Sequence, residues 1–182
     1  MTEIYVFFAD GFEEIEGLTV VDLLRRASQK VRMVSINDSL RVTGAHGISI
    51  EADLKLDQVS EKPGDFLVLP GGMPGTRNLG ACRELTEKLV HAAEKAIHVA
   101  AICAAPSVLG DLGLLKGKQA VCYPGFEERL TGAKVLEVPV VTDGNVTTSR
   151  GMGTAIPFGL ELIRLLSGKE EADRIGCSIL YQ

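Results

Sequence analysis

Short apolar runs rich in strand-forming residues alternate along this chain with longer stretches of helical periodicity, and that alternation commits it to an α/β fold. Ile4 to Phe8, Val31 to Ile36, Phe66 to Leu69 and Val99 to Ile102 read as strands. The helical patterns between them indicate a mostly parallel sheet covered by helices on both faces. After Asp10-Gly11 a helix carries Ile15, Leu18, Val21 and Leu24, widened by Val20, Leu23 and Ala27. So broad an apolar face is buried within its own domain or covered by a subunit contact. Arg83 to Ala96 and Ala155 to Leu166 read as further helices, the second with Pro157 in its first turn and Gly168 at its end. Ile48 to Ala52 reads as a short alternating strand. Asp143-Gly144-Asn145, between Val138–Thr142 and Val146–Ser149, is a hairpin signal that adds antiparallel strands. A chain of 182 residues, 46% hydrophobic and without repeat or linker, is expected to form one domain over residues 1–182.

Composition removes several classes of function. The net charge of -5 and the scattered Lys and Arg residues offer no basic stripe, so nucleic acid is not expected as a stable partner. No apolar stretch approaches the ~20 residues of a membrane-spanning helix. Cys82, Cys103, Cys122 and Cys177 form no CxxC pair and no Cys/His zinc spacing, so no metal site is expected. Met1 leads directly into IYVFFA without a basic, then apolar leader, and free thiols suit a reducing compartment; a cytoplasmic location is the expectation.

The chemistry concentrates in HVAAICAAPS. The strand-like run stops at Cys103, and Pro106 suits the first turn of a helix. A thiol at such a strand-to-helix turn meets free amides and the positive helix end, which favour thiolate, although free cysteine is more often a small buried hydrophobe. In open α/β sheets sites form beyond the carboxyl ends of the strands. That rule gathers Asp10–Glu16, Leu69–Gly75 and Cys103–Pro106. Gly71 and Gly72 allow backbone amides to turn toward an incoming oxygen, or simply make a tight turn. Of the cluster Glu13, Glu14 and Glu16, the first two suit a helix start, where carboxylates complement the dipole. Glu16, between Ile15 and Gly17, is placed to be desolvated, with a raised pKa and a proton to share with a thiolate.

GFEEIEG with VVDLLRRA, then VLPGG, AAICAAPSVL and TSRGMGTA, resemble the ThiJ/PfpI family of the class I glutamine amidotransferase-like superfamily. The likeness runs in family order from Glu3 to at least Leu166 and is nearest to the deglycase and YajL-like branch. It implies a flavodoxin-like, Rossmann-like three-layer sandwich, a homodimer, no cofactor, Cys103 as nucleophile, Glu16 as its carboxyl partner, and the amides of Gly72 and Ala104 as an oxyanion pocket. The protease-like and chaperone-like branches place histidine after the cysteine, where this chain has Ala104, so peptidase activity is not expected. Tyr123 stands where a further family histidine is found; a phenol is a poor base at neutral pH but can orient a substrate. His46 falls where the family has an arginine near the partner's site, and reads either as a dimer-side group approaching Cys103 or as a plain loop histidine. Arg26 matches a family arginine at the dimer-side pocket, with simple solvent exposure as the alternative. His91 and His98 read as surface or structural.

Three functions follow. Cys103 attacks a small α-oxoaldehyde, with Glu16 as general acid and base, in a glutathione-independent glyoxalase or deglycase reaction. Alternatively, peroxide oxidises Cys103 to a sulfinate in a non-enzymatic stress sensor. The third is a redox-regulated chaperone, for which only the apolar first helix speaks.

Overall fold

The computed structural model describes residues 2–95 and 97–181. Met1 and Ala96, the expected end of the helix begun at Arg83, lie outside them. The chain runs β1 (Ile4–Phe8), α1 (Glu14–Arg26), β2 (Val31–Ser35), β3 (Arg41–Thr43), β4 (Ser49–Glu51), β5 (Leu54–Lys55) and β6 (Phe66–Leu69). It continues through α2 (Gly75–Ala81), α3 (Arg83–Glu94), β7 (His98–Ile102), α4 (Pro106–Asp111), β8 (Gln119–Ala120) and β9 (Lys134–Val135). β10 (Val140–Asp143), β11 (Val146–Ser149), α5 (Ala155–Ser167) and α6 (Lys169–Ser178) complete it.

Seven strands form the main sheet in the order β10-β11-β7-β6-β1-β2-β5. All neighbours are parallel except β10, which pairs antiparallel with β11 and makes one edge. The expected hairpin is therefore an extension of the main sheet. β3 and β4 pair only with each other, and β8 pairs with β9. This is the flavodoxin-like arrangement, helices on both faces of a mostly parallel sheet.

The alternation of side chains along each strand separates two cores. Tyr5 and Phe7 of β1 join Leu67 and Leu69 against Leu79 of α2, Leu85 and Leu89 of α3 and Leu109 of α4. Ile4, Val6 and Phe8 face the other way, onto Val20 and Leu24 of α1, Phe158 and Leu162 of α5 and Ile175 of α6. Burial on both faces is why the central strands read as unbroken apolar runs. Each fully buried Leu or Phe contributes about 1.5–3 kcal/mol.

Helix α1 packs differently from its apolar pattern. Gly17, Val20, Val21 and Leu24 form the buried stripe, whereas Ile15 is 51% exposed. A rotation of 100° per residue sets Ile15 opposite that stripe, so it cannot share it. The short elements β3, β5, α2 and α6 were not legible in the sequence. Among the described residues, no helix is long and apolar enough to cross a membrane.

The chain passes from β1 through α1 to β2 on one side, and from β6 through α2 and α3 to β7 on the other. The crevice at this switch point lies beyond the carboxyl ends of β1, β6 and β7. The three loops singled out from the sequence meet there.

Candidate active site

Cys103 follows directly on β7 and has φ 67°, a left-handed conformation that costs a non-glycine residue about 1–2 kcal/mol. Its neighbours hold it there. The Cys103 amide donates to the Ser149 carbonyl at 3.0 Å, and the Cys103 carbonyl accepts from the Tyr123 amide at 2.7 Å. Helix α4 begins at Pro106, as the sequence indicated. A sharp strand-to-helix turn of this kind lifts the side chain out of the sheet toward the crevice.

Glu16, in the first turn of α1, is 1% exposed. Its Oε2 accepts from the Gly71 amide at 2.9 Å, while the buried Oε1 has no hydrogen-bond partner. Burial pushes the carboxyl up to about 7 against the opposing influence of Cys103 and the Gly71 amide, so near neutral pH it exists in both forms. The Cys103 thiol is pushed up to about 12, first by burial and then by the charge and hydrogen bonding of Glu16. The amides of Ala104 and Gly72 act on the sulfur in the opposite direction.

Burial thus opposes the thiolate expected from the helix end. Helix α4 has only six residues, and desolvation of the sulfur outweighs the amides at its start. The part of the rise that comes from the charge of Glu16 exists only while Glu16 is ionised. A correction concerns the glycines. The Gly71 amide is spent on Glu16, and the amides that reach the sulfur are those of Gly72 and Ala104. Among the described residues neither of these two amides donates to another protein acceptor, which leaves both free for an oxyanion.

Cys103 and Glu16 open into a cavity of about 380 Å³, lined also by Glu13, His46, Gly72, Met73, Ala104, Tyr123, Phe126 and Met152. Tyr123 is half-exposed on its wall and packs beside Gly151. His46 lines this cavity from its own chain, so its approach does not depend on a dimer. Arg26 stays apart, exposed and paired with Asp22 at 2.6 Å within α1. His91 is exposed near Glu61. His98 is structural: its Nε2 meets Thr147 Oγ1 at 2.8 Å, its ring stacks on Phe66, and burial lowers its pKa to about 4. A larger groove of about 430 Å³ beside Pro139, Leu160 and Arg164 is lined by neither cysteine nor histidine.

Glu14 does more than complement a dipole. It is 4% exposed and accepts from the His46 and Ile48 amides at 2.8 and 3.4 Å, tying the β3–β4 hairpin to α1. Glu13, Glu14 and His46 bring three potential metal-ligand atoms within 4.8 Å of one another. Glu14 already serves three N–H or ring-nitrogen partners there, so an ion would have to displace existing bonds. Sequence reasoning also missed Met73, Phe126 and Met152, because a cavity lip drawn from separate loops has no periodic signal.

The family model described as DJ-1/PfpI matches residues 2–165. Protein DJ-1 homolog A of Arabidopsis thaliana is 39% identical over 179 residues, 98% of this chain but 46% of that protein, so the chain spans about half that relative's length. A deglycase of Pyrococcus abyssi is 32% identical over 169 residues, covering 90% of this chain and 98% of the relative. Among solved structures, oxidized Toxoplasma gondii DJ-1 superposes with a TM-score of 0.94 at 35% identity, over 100% of this chain and 99% of that one.

Proposed function

The chain belongs to the DJ-1/PfpI family, and from that premise we propose that it is a cysteine-dependent, deglycase-like enzyme that acts on reactive α-oxoaldehydes without glutathione. The observation that carries this reading is the meeting of Cys103, on its left-handed elbow, with the Glu16 carboxyl at the buried end of an open cavity.

With methylglyoxal, the Glu16 carboxylate takes the thiol proton as Sγ bonds to the aldehyde carbon. The oxygen so formed is stabilised by the Gly72 and Ala104 amides and then receives that proton, giving a hemithioacetal. Glu16 next removes the hydrogen from the first carbon and returns it to the second, while the hydroxyl proton crosses between the two oxygens. The result is a lactoyl thioester on Cys103. Water cleaves it to lactate and restores the thiol.

A second reading is favoured by the same amides and by the oxidized state of the Toxoplasma relative. Two equivalents of peroxide would convert the thiol through sulfenic to sulfinic acid with release of two waters, and the acid's oxygens would find the Gly72 and Ala104 amides and Glu16 Oε1. One experiment separates the two. Purified chain should consume methylglyoxal without glutathione and lose this in Cys103→Ser; equal consumption by Cys103→Ser rejects the enzyme reading. Peroxide-dependent gain of two oxygens at Cys103 in a chain that consumes no oxoaldehyde favours the sensor.

A further inference from the structure

His46 reaches the nucleophile's cavity from outside the main sheet, on the loop between β3 and β4, and it arrives already paired. Its Nδ1 lies 2.9 Å from Glu14 Oε2, and its amide donates to Glu14 Oε1 at 2.8 Å. With Nδ1 held against a carboxylate, Nδ1 carries the proton and Nε2 is the nitrogen left to act. The pairing is built in closely. A Cβ at Gly44 would stand 2.3 Å from Glu14 Oε1, so only glycine lets the hairpin close on that carboxylate. Glu14 is buried, whereas the His46 side chain is 67% exposed, and the imidazole therefore meets solvent at the outer end of the cavity.

The oxoaldehyde reaction proposed above, on which this inference rests, ends in a thioester that water must cleave. Glu16 is shut in at the sulfur end and handles the substrate's own protons. Among the described residues no other imidazole lines the cavity. We infer that His46, held in place by Glu14, is the base that activates the hydrolytic water in this enzyme. Nε2 takes one proton as the water oxygen bonds to the thioester carbon, and the Gly72 and Ala104 amides hold the oxyanion. Collapse breaks the carbon–sulfur bond. The proton of the new carboxyl passes through Glu16 to the departing sulfur, His46 returns its proton to solvent, and one water is consumed for each lactate released. The hydrogen bond to Glu14, and then the charge of Glu13, raise the imidazole pKa, which strengthens it as a base.

The test uses the whole chain with methylglyoxal, quenched during turnover and examined by intact mass. Wild type should show little adduct, because hydrolysis keeps pace. His46→Gln should accumulate a hydroxylamine-sensitive adduct on Cys103 approaching one per chain, with steady-state turnover reduced about 100-fold and the first turnover retained. Added imidazole should restore turnover in His46→Ala. Wild-type turnover in His46→Gln, with no adduct, overturns the role of His46 and leaves the oxoaldehyde reading standing. Failure of the wild type to consume methylglyoxal overturns both.

Discussion

Gly71 lies so close to Cys103 that a β-carbon on it would stand 2.5 Å from the cysteine Cβ and 2.5 Å from Glu16 Oε2. Nucleophile and carboxyl meet across bare backbone, and any side chain there would force them apart. Gly71→Ala should therefore lower stability by about 1–3 kcal/mol and reduce turnover at least tenfold. Urea denaturation and methylglyoxal consumption check the two effects.

Glu16 must be ionised to accept the thiol proton, and its carboxyl is pushed up to about 7. The rate of the first turnover should rise with pH through about 7 and fall away on the acid side. Glu16→Gln should lose that limb, together with about 10²–10⁴-fold of the rate. Single-turnover rates across the neutral range decide it.

Glu16 and His98 act on stability in opposite directions. The folded chain holds the Glu16 proton between the ordinary 4.5 and about 7, so this group's stabilising effect is full below 4.5 and is lost as pH rises through about 7. The loss is on the order of 3 kcal/mol. His98 is held neutral, so its effect is full above 6.5 and is lost as pH falls toward about 4. Relative to wild type, Glu16→Gln should gain stability as pH rises from 4.5 to 7, and His98→Gln should gain it as pH falls from 6.5 to 4. Denaturant titrations at several pH values test both signs.

Met73 and Met152 are 43% and 51% exposed at the cavity, beside Phe126. An apolar lip should contact a bulky substituent on the oxoaldehyde more than a methyl group. Met152→Ala is expected to raise KM for phenylglyoxal about 5-fold, leaving kcat and the methylglyoxal KM nearly unchanged. Steady-state kinetics with both substrates provide the comparison.

The central strands, the elbow at Cys103 and the partnership with Glu16 were legible in the sequence because each leaves a local mark. Those marks are an unbroken apolar run, a cysteine before a helix-starting proline, and, for Glu16, the GFEEIEG motif through which the resemblance names it, since Ile15 beside it turns to solvent. The burial that raises the Cys103 pKa was not legible, since the neighbours in space decide it. The division of labour between the Gly71 and Gly72 amides turns on backbone orientation within one loop, and both residues look alike in a sequence. His46 drew notice as a residue, but its anchor did not. Glu14 resembles any acid in a first helical turn until the hairpin is seen to close on it.

The β3–β4 hairpin hydrogen-bonds to none of the seven main strands as a strand. It is held instead by loop contacts, the Gly11 amide to Thr43, the Ala45 amide to Phe12 and the Thr43 amide to Asp10. Val42 anchors it in one core and Gly44 fits it to Glu14, but the exposed positions around His46, which lines the cavity, can change with little penalty to either core. The scaffold in this way keeps an exchangeable cassette beside a permanent nucleophile, and new proton chemistry can be sampled there without rebuilding the fold.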